Sequence, residues 1–507
     1  MFNLFLCLVT LLDPGLQAAR PEAAGAVVAR AIAALGGEPA LRSLSSLRIE
    51  AIGHDYYIDQ SERPEGPFIT RYLQTIETRD VAGGRSRIET QQRSVESPDW
   101  GGGGSAVIVD ADAAVLNRGE RYAPAGRQAF DDGRERIELA PERMLLTALA
   151  APDLALAPEV QMHGIAQRVV TFGWRGRRVK LFIDAGDFVP TALEVTAEDT
   201  FGIWGQVRNT SYFSLWTLLP GGVRYPLQVD RAWNGVSSGA STIMKVAVNA
   251  PADAASFAIP ADAKAAFAAL PTATRFAALK LDPVKGRVDV EPGKIVQYAG
   301  NFNVAMVRQP DGLVIIEAPI GSHYSAQVLD EAAARYPGVP VKAVITSSDA
   351  WPHLGGVREY VARGIQVYAL DLNRPILERL LAADYSAHPD ALARAPKRAR
   401  VAWVSAKTVI GTGDTRIELY PIHGENGERM MMAYFPSLSL LYSSDEIMHQ
   451  RTGAFFMPEF LLEVRDAIRR EHLDVTRVFG VHLGPTPWTE IEAAIASASA
   501  PSSPPGR

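Results

Sequence analysis

The sequence predicts a two-domain protein in which a mostly antiparallel β domain precedes an α/β domain. From about residue 44 to residue 250, short segments alternate apolar and polar residues at period two, as in residues 178–183 and 241–248. From about residue 289 to residue 495, strand-like apolar runs alternate with helix-like segments. The stretch between the two regions is rich in Ala and Pro, which is typical of a linker or a strapping segment.

The first residues have the order of an export signal. An apolar run at residues 4–12 precedes Gln17-Ala18-Ala19, which predicts a signal peptide at residues 1–19. The run is too short to span a bilayer as a helix. The alternative is a buried N-terminal helix, since the segment carries no Lys or Arg before its apolar run. Cys7, the only cysteine, lies inside it. We therefore expect a periplasmic or secreted protein whose mature chain has no thiol.

Composition limits the partners that this chain is expected to have. The 507 residues are 47% hydrophobic and 21% charged, which is ordinary for a globular protein with full apolar cores. The net charge of −6 gives no electrostatic basis for binding nucleic acid or anionic membranes. Beyond the first residues, no run is long and apolar enough to form a transmembrane helix. The expected partner is a small-molecule substrate, and the sequence carries no signal for an oligomeric state.

The β domain is assigned to residues 20–250. It begins with a helix-like segment that ends at Gly36-Gly37, as helices commonly do. The alternating segments that follow suit a single barrel or curved sheet. Residues 235–239 match the G-x-S-x-G motif of serine hydrolases, which requires a strand-to-helix turn to expose its serine. Here the motif precedes a β-patterned run, so we interpret it as a hairpin turn and not as a nucleophile at Ser237.

The α/β domain is assigned to residues 289–495, after a linker at residues 251–288 and before a disordered tail at residues 496–507. The tail is rich in Ser and Pro. The predicted elements of the domain are a hairpin (303–319), a helix (352–364), a strand (365–370), a helix (373–384), three strands (408–422, 430–436 and 438–444), a helix (458–472) and a final strand (476–484).

The loop at residues 347–356, SSDAWPHLGG, follows an apolar strand-like run and leads into a helix-like segment. It resembles the signature T-H-x-H-x-D-H-x-x-G of the metallo-β-lactamase-fold hydrolases. In that pattern Ser348 and Ala350 stand where histidines belong, Pro352 stands where an aspartate belongs, and His353 is kept. The resemblance implies that the α/β domain is an αββα sandwich. The entry helix and strands of the preceding domain, with the runs VPTALEV (189–195) and GGVRYPLQVD (221–230), resemble the β domain found before some exported proteins of that family. That domain is similar to the lipoprotein-sorting half-barrel, a fold that holds apolar ligands in its concave face.

The same resemblance identifies further ligand positions. Asp445, in the run Tyr-Ser-Ser-Asp, matches the family's bridging aspartate, and His482 matches its last histidine. The remaining histidine position is occupied by Asn426, while His423 lies three residues earlier on a loop that could turn it inward. The resemblance therefore implies a reduced metal site made by His353, Asp445 and His482, with His423 as a less favoured ligand.

Two imidazoles and one carboxylate can hold Zn²⁺ with an open position for water. The same set suits Fe²⁺ or Mn²⁺. We expect one ion, because the ligands of the other site are replaced. Asp445 and Asp349, an additional carboxylate in the signature loop, are the candidate catalytic residues. Each candidate also has a structural alternative, since a lone histidine is often only hydrogen-bonded and an aspartate often caps a helix.

Three functional classes follow from these observations. The first is an exported metal-dependent hydrolase that acts on an ester, an amide or a related bond. The second is a non-catalytic relative whose cleft binds a small molecule or a partner. The third is a carrier in which the β domain holds an apolar ligand. Stoichiometric metal separates the first class from the second, and a large apolar concavity in the β domain marks the third.

Overall fold

The structure is a computed structural model that describes residues 23–58, 66, 68–94, 103–198, 204–270, 279–450 and 453–499. The predicted signal peptide at residues 1–19 lies outside the described residues. So does the part of the predicted tail after residue 499.

The first domain is built on one antiparallel sheet, in which thirteen strands are present among the described residues. The strand order is β6-β5-β4-β3-β2-β1-β13-β12-β11-β10-β9-β8-β7, so the chain runs as two meanders that meet where β1 pairs with β13. The strands are β1 (Ser46–Tyr57), β2 (Ile69–Asp80), β3 (Arg85–Ser94), β4 (Gly103–Val109), β5 (Ala114–Arg118), β6 (Arg121–Pro124), β7 (Ala155–Met162), β8 (Ile165–Trp174), β9 (Arg177–Asp184), β10 (Pro190–Glu198), β11 (Gln206–Leu218), β12 (Arg224–Trp233) and β13 (Val236–Val248).

The predicted entry helix is α1 (Ala24–Ala34), and its apolar face is buried. The helix ends in a Schellman-type turn, in which Gly37 N–H donates to Ile32 O and Gly36 takes a φ of +113°. Together with helix α4 (Met144–Ala150), α1 covers the apolar face of strands β8 to β11. That part of the sheet is therefore packed by the protein's own helices. The other helices of the domain are α2 (Glu38–Arg42) and α3 (Arg127–Glu138).

The G-x-S-x-G motif lies in a β-hairpin. Strand β12 ends at Trp233 and strand β13 begins at Val236, with Asn234 and Gly235 both at positive φ between them. This is the two-residue turn that an Asn-Gly pair favours. Ser237 lies on strand β13, where no strand-to-helix turn exposes it.

The segment assigned as a linker is partly helical and packs on the β domain. A 3₁₀ turn (Ala254–Phe257) and helix α5 (Ala261–Ala268) place Phe257 and Phe267 in small apolar clusters with strands β4 and β5. This part of the chain is a strap on the first domain. The first strand of the second domain begins at Arg287.

The second domain contains two sheets. The seven-stranded sheet has the order β14 to β20 and the six-stranded sheet the order β21 to β26, among the residues described. Their strands are β14 (Arg287–Glu291), β15 (Ile295–Tyr298), β16 (Val304–Gln309), β17 (Gly312–Ile316), β18 (Val341–Thr346), β19 (Gln366–Leu370), β20 (Val401–Val404), β21 (Thr408–Ile410), β22 (Ile417–Pro421), β23 (Met431–Phe435), β24 (Leu440–Tyr442), β25 (Arg477–Gly480) and β26 (Leu483–Pro487).

Helices cover the outer face of each sheet. They are α6 (Ser322–Arg335), α7 (Trp351–Leu354), α8 (Val357–Arg363), α9 (Arg374–Ala382), α10 (Ala391–Arg394), α11 (Pro458–Arg470) and α12 (Trp488–Ser499). The inner faces of the two sheets share one apolar core, which joins Ile316 and Ile345 to Leu419 and Phe479. A second core lies under α6, α8 and α9, and a third under α11 and α12. These four layers are an αββα sandwich, and they confirm the predicted fold class.

The end of the domain differs from the sequence prediction. The strand predicted to be final is followed by β26 and by helix α12, which extends to Ser499 and so into the segment assigned as a tail. Residues 483–487, LGPTP, contain two prolines, and only Leu483 and Gly484 fall within the strand predicted as final. They form an edge strand, the position in a sheet that tolerates proline best.

The two domains contact each other through the outer helix layer of the sandwich. Trp204 joins the apolar core under α9, and the guanidinium of Arg379 lies 4.1 Å from the centre of its ring. The backbone N–H of Gln206 donates to the carbonyl of Asp384 at 2.6 Å. None of the helices in the described part of the chain is long and apolar enough to cross a membrane.

Candidate metal centre

The signature loop is held against the loop that follows β17. The backbone N–H of Ala318 donates to His353 O at 3.2 Å, and the N–H of Gly356 donates to Ala318 O at 2.8 Å. A side chain at position 356 would collide with Ser325 Oγ, so glycine is required for this approach. Gly356, the last residue of the motif, therefore has a packing reason. These contacts place His353 beside the residue that directly follows β17.

That residue is Glu317, a carboxylate that follows a wholly buried apolar strand. Its side chain is 0% exposed and its φ is +76°. Its Oε1 accepts hydrogen bonds from Tyr442 OH, at 3.0 Å, and from Ser347 Oγ. Its Oε2 lies 3.2 Å from Nδ1 of His353. Glu317 is thus fixed by two hydroxyl groups and faces one side of the imidazole.

Asp445 and His482 come from the second sheet. Strands β24 and β25 are parallel neighbours, with Tyr442 opposite Phe479, so their carboxyl ends meet at the same edge. The N–H of Ser443 donates to Phe479 O at 2.9 Å, which joins the two strand ends. Asp445 follows the first strand end and His482 follows the second. Adjacent parallel strands therefore deliver both side chains to the edge where β18 delivers His353.

The three side chains converge. His353 Nε2 lies 3.4 Å from Asp445 Oδ2, and His482 Nε2 lies 3.3 Å from Asp445 Oδ1. One donor atom from each of the three residues lies within 4.8 Å of the other two. His353 is fully buried, whereas the side chains of Asp445 and His482 are 19% and 27% exposed. The group is therefore reached from solvent on the Asp445 and His482 side.

The charges in the group are strongly coupled. Burial alone would lower the pKa of His353, but the carboxylates of Glu317 and Asp445 outweigh it and raise that pKa to about 10. Burial would raise the pKa of Asp445, yet the two histidines hold it below its usual value. The pKa of His482 is lowered, first by burial and further by the charge on His353. Without a metal, His353 is thus a buried imidazolium between two carboxylates.

The geometry of the group fits a metal ion. Ligands bonded at 2.0–2.2 Å in a tetrahedral arrangement are about 3.4 Å apart. The contacts of His353 and His482 with Asp445 have this length, each through a different carboxylate oxygen, and single donor atoms of the three residues lie within 4.8 Å of one another. Nε2 of His353 and Oδ1 of Asp445 are buried and make no hydrogen bond within the described residues. Glu317 at Nδ1 supplies the outer carboxylate that metal-ligating histidines usually have, which leaves Nε2 free for an ion.

The other sequence-predicted residues do not join this group. His423 is exposed, and no donor atom of it lies within the convergent group. Asn426 is turned to helix α11, where its side-chain amide and backbone N–H both donate to Glu463 Oε1. Asp349 is buried in the signature loop but outside the convergent group. Ser348 Oγ accepts from the N–H of Ala350 and so supports the loop itself.

Sequence reasoning missed the residues around the ligands. Glu317 has one visible signal, an acidic residue that directly ends the apolar run Leu-Val-Ile-Ile. Gln297 has a similar signal, because it interrupts the buried strand β15. Phe302, whose ring lies 5.3 Å from that of His482 and 6.3 Å from that of His353, has no sequence signal. A polar residue inside or just after a buried strand is costly to bury and therefore indicates a specific partner.

No protein-family model and no curated protein matches this sequence. Among solved structures, the chain is similar to the stereoselective inverting sec-alkylsulfatase Pisa1 from Pseudomonas sp., with 19% sequence identity and a TM-score of 0.32. This match covers 42% of the present chain and 40% of the sulfatase, less than half of the length of either protein. A metallo-β-lactamase from Pontibacter korlensis matches at 14% identity and a TM-score of 0.31, over 41% of this chain and 95% of that one.

A metallo-β-lactamase from Erythrobacter litoralis also matches, at 14% identity and a TM-score of 0.29. The match covers 41% of this chain and 88% of that chain. All three matches thus cover about two fifths of the chain.

Proposed function

We propose that this chain is an exported hydrolase that cleaves an ester, an amide or a related bond in a small-molecule substrate with the help of one metal ion. The observation that carries the proposal is the convergence of His353, Asp445 and His482, with donor atoms within 4.8 Å at a partly exposed edge of the sandwich. Two imidazoles and a carboxylate are a ligand set of hydrolytic zinc enzymes, which keep one position open for water.

Each residue has a definite task in this proposal. His353, Asp445 and His482 hold the ion, and a bound Zn²⁺ supplies Lewis acidity and lowers the pKa of water at its open position. Glu317 fixes the orientation of the His353 ring through Nδ1. Asp445, the most central carboxylate, is shared between both imidazoles. We propose Asp349, which is buried in the signature loop that also carries His353, as a second carboxylate for proton transfer.

The metal in the proposal is Zn²⁺, with Fe²⁺ or Mn²⁺ as the alternatives that the same ligands accept. The test is elemental analysis of the mature protein together with titration of the metal-free protein by each ion. We expect about one ion per chain, held by a ligand set of this kind. We also expect turnover of simple esters or lactams that a chelator abolishes and Zn²⁺ restores. A protein that retains no metal and cleaves none of these substrates would contradict the proposal.

A second candidate is a non-catalytic protein whose cleft binds a small molecule. The observation in its favour is that residues at the lost ligand positions have taken structural contacts. Asn426 is committed to Glu463, and Ser348 supports the backbone of Ala350. Absence of retained metal and of turnover of any ester, amide or lactam, combined with saturable binding of a small molecule, would favour this candidate over the hydrolase.

The proposed site of action is the periplasm or the exterior of the cell. Its support is the apolar run at residues 4–12 followed by Gln17-Ala18-Ala19. Expression of the full chain with a C-terminal tag tests it, because removal of residues 1–19 would leave Arg20 as the first residue. Intact-mass measurement and amino-terminal sequencing of the tagged product give the answer, and an unprocessed chain in the cytoplasm would refute the proposal.

A further inference from the structure

The turn that carries His482 is held by two side-chain amides, one from strand β15 and one from the residue before strand β16. Gln297 Nε2 donates to Gly480 O at 2.9 Å and to Leu483 O at 3.0 Å. Asn303 Nδ2 reaches the same two carbonyls, at 3.1 Å and 3.5 Å. These carbonyls belong to the residues on either side of the pair Val481-His482. Both ends of the turn are therefore fixed by the same pair of amides.

The rest of the turn is fixed from the same direction. The backbone N–H of Asn303 donates to Val481 O at 2.8 Å. Phe302, one residue earlier, lies with its ring 5.3 Å from that of His482. The backbone of Asn301 makes a hydrogen bond with the His482 side chain. The segment from β15 to β16 thus contacts the backbone on both sides of His482 and the imidazole itself.

Gln297 is an unusual residue for its position. It lies in strand β15, whose four residues are all buried, and its own side chain has no exposed surface. Burying an amide is unfavourable unless its donors are satisfied. Both donors of Gln297 are used on the carbonyls of one turn, while the neighbouring positions of the strand are filled by Ile295, Val296 and Tyr298.

We propose that Gln297 and Asn303 are positioning residues that hold His482 in the orientation required for binding the metal ion. This inference rests on the proposed function, since it concerns a ligand of the same site. A metal ligand must be held to within about 0.5 Å of the productive position by surrounding groups. His482 is the most exposed of the three ligands and lies on a two-residue turn, so its position depends on what fixes that turn.

The chain offers a matched control in Gln309, at the end of strand β16. Its Nε2 also donates to two backbone carbonyls, those of Ile410 in β21 at 3.0 Å and of Thr415 in the turn before β22 at 2.6 Å. Gln309 is also buried, and its Oε1, like that of Gln297, makes no hydrogen bond within the described residues. The two glutamines therefore join the sheets in the same way, but only Gln297 does so at a metal ligand.

The experiment compares Gln297→Met with Gln309→Met in the full-length mature protein. Methionine keeps the length of the side chain and removes both donors. We expect both variants to lower the melting temperature of the metal-free protein. We expect Gln297→Met alone to weaken Zn²⁺ binding by about tenfold or more, as loss of an outer-shell partner does. The visible spectrum of the Co²⁺-loaded protein should also change in Gln297→Met and stay unchanged in Gln309→Met.

Asn303→Ala provides a second variant in case Gln297→Met does not fold. It removes the longer pair of hydrogen bonds, and we expect a smaller loss of Zn²⁺ affinity in the same direction. The inference would be overturned if the folded variants Gln297→Met, Asn303→Ala and Gln309→Met bound Zn²⁺ with equal affinity and gave equal Co²⁺ spectra. The proposed function would then remain intact. Failure of the unmutated protein to bind Zn²⁺ would overturn both.

Discussion

Oε2 of Glu317 lies 3.2 Å from Nδ1 of His353, and both side chains are completely buried. The contact gives the imidazole a fixed direction, with Nε2 turned to Asp445 at 3.4 Å. It also sets up a competition, because Nε2 of His353 can either carry a proton or bind a metal ion, while Nδ1 keeps its own proton towards Glu317. Metal binding at this site should therefore release a proton, and the predictions below depend on that balance.

Loss of His482 should remove metal binding without unfolding the protein. His482 is a partly exposed residue on a turn, so His482→Ala should leave the melting temperature of the metal-free protein nearly unchanged. Its loss leaves only two ligands, and we expect Zn²⁺ affinity to fall by at least a hundredfold. His423→Ala is the matched control, since His423 is exposed and outside the convergent group. Competition with a chelator measures both. Equal affinities in the two variants would show that His482 is not a ligand.

Removing the buried cation should cost more stability than removing one of its two carboxylates. His353→Gln leaves the buried carboxylate of Glu317 without a positive partner and Asp445 with His482 alone. We therefore expect a loss of about 3–5 kcal/mol in the unfolding free energy of the metal-free protein. Glu317→Gln leaves His353 paired with Asp445. It should therefore cost less, although both variants should weaken Zn²⁺ binding.

Chemical denaturation of metal-free samples at pH 7 measures this order. A Glu317→Gln variant that is less stable than His353→Gln would contradict the pairing described here. It would indicate that Glu317 acts mainly through its hydrogen bonds with Tyr442 and Ser347.

The fold was predictable because periodicity is repeated along many residues. The alternation in residues 178–183, where every second residue is buried, and the apolar strand before residue 347 each report burial several times over, so single exceptions do not change the result. Strand β26 was missed because the prolines in LGPTP argue against a strand unless its edge position is known. Edge position is a tertiary property, which local sequence does not contain.

The candidate site was predictable only in part. The three converging residues were found through a family resemblance that covers their positions one by one. Glu317 and Gln297 are separated from His353 and His482 by 36 and 185 residues of sequence, and no motif spacing relates them. They are brought to the site by strand pairing and by the packing of two sheets. His423 lies on a loop whose shape the sequence does not specify, and in the structure that loop leaves the side chain exposed.

The stability of the β domain should depend on pH through Glu138, at the end of helix α3. Burial would raise its pKa, but hydrogen bonds from Arg175, Arg134 and Trp174 outweigh burial and lower the pKa from 4.5 to about 2. A carboxylate with a lowered pKa stabilises the folded state above its unfolded pKa, and this contribution is lost as pH falls from about 4.5 to about 2.

At pH 7, the Glu138→Gln variant should therefore melt about 2–4 °C below the unmutated protein. This shift corresponds to a loss of about 1 kcal/mol in the unfolding free energy. The difference should shrink as the pH is lowered through 4 and vanish near pH 2. Circular dichroism melts of both proteins across this range provide the measurement. A difference that stays constant down to pH 2.5 would mean that the charge of Glu138 is not what stabilises the folded state.

The last prediction concerns Gly356, which ends the signature loop. Its φ is −94°, a value that alanine adopts readily, so any effect of Gly356→Ala must come from lack of space. A Cβ there would collide with Ser325 Oγ and would lie 3.0 Å from Gly321 O and 3.1 Å from Ala318 O. We expect Gly356→Ala to lower the unfolding free energy by about 1–3 kcal/mol, the usual cost of overpacking.

The variant should also weaken Zn²⁺ binding, because the displaced N–H of Gly356 is the group that holds Ala318, next to Glu317. Adding Ser325→Ala should restore part of the stability, since it removes the nearest obstacle and leaves the two carbonyls. Gly484→Ala is the control, as no atom lies within 4 Å of a Cβ built there, close to the His482 turn. Denaturation and Zn²⁺ competition on the four variants, with Ser325→Ala alone included, complete the test. If Gly356→Ala behaves like Gly484→Ala in both measurements, the approach of the two loops does not determine the geometry of the site.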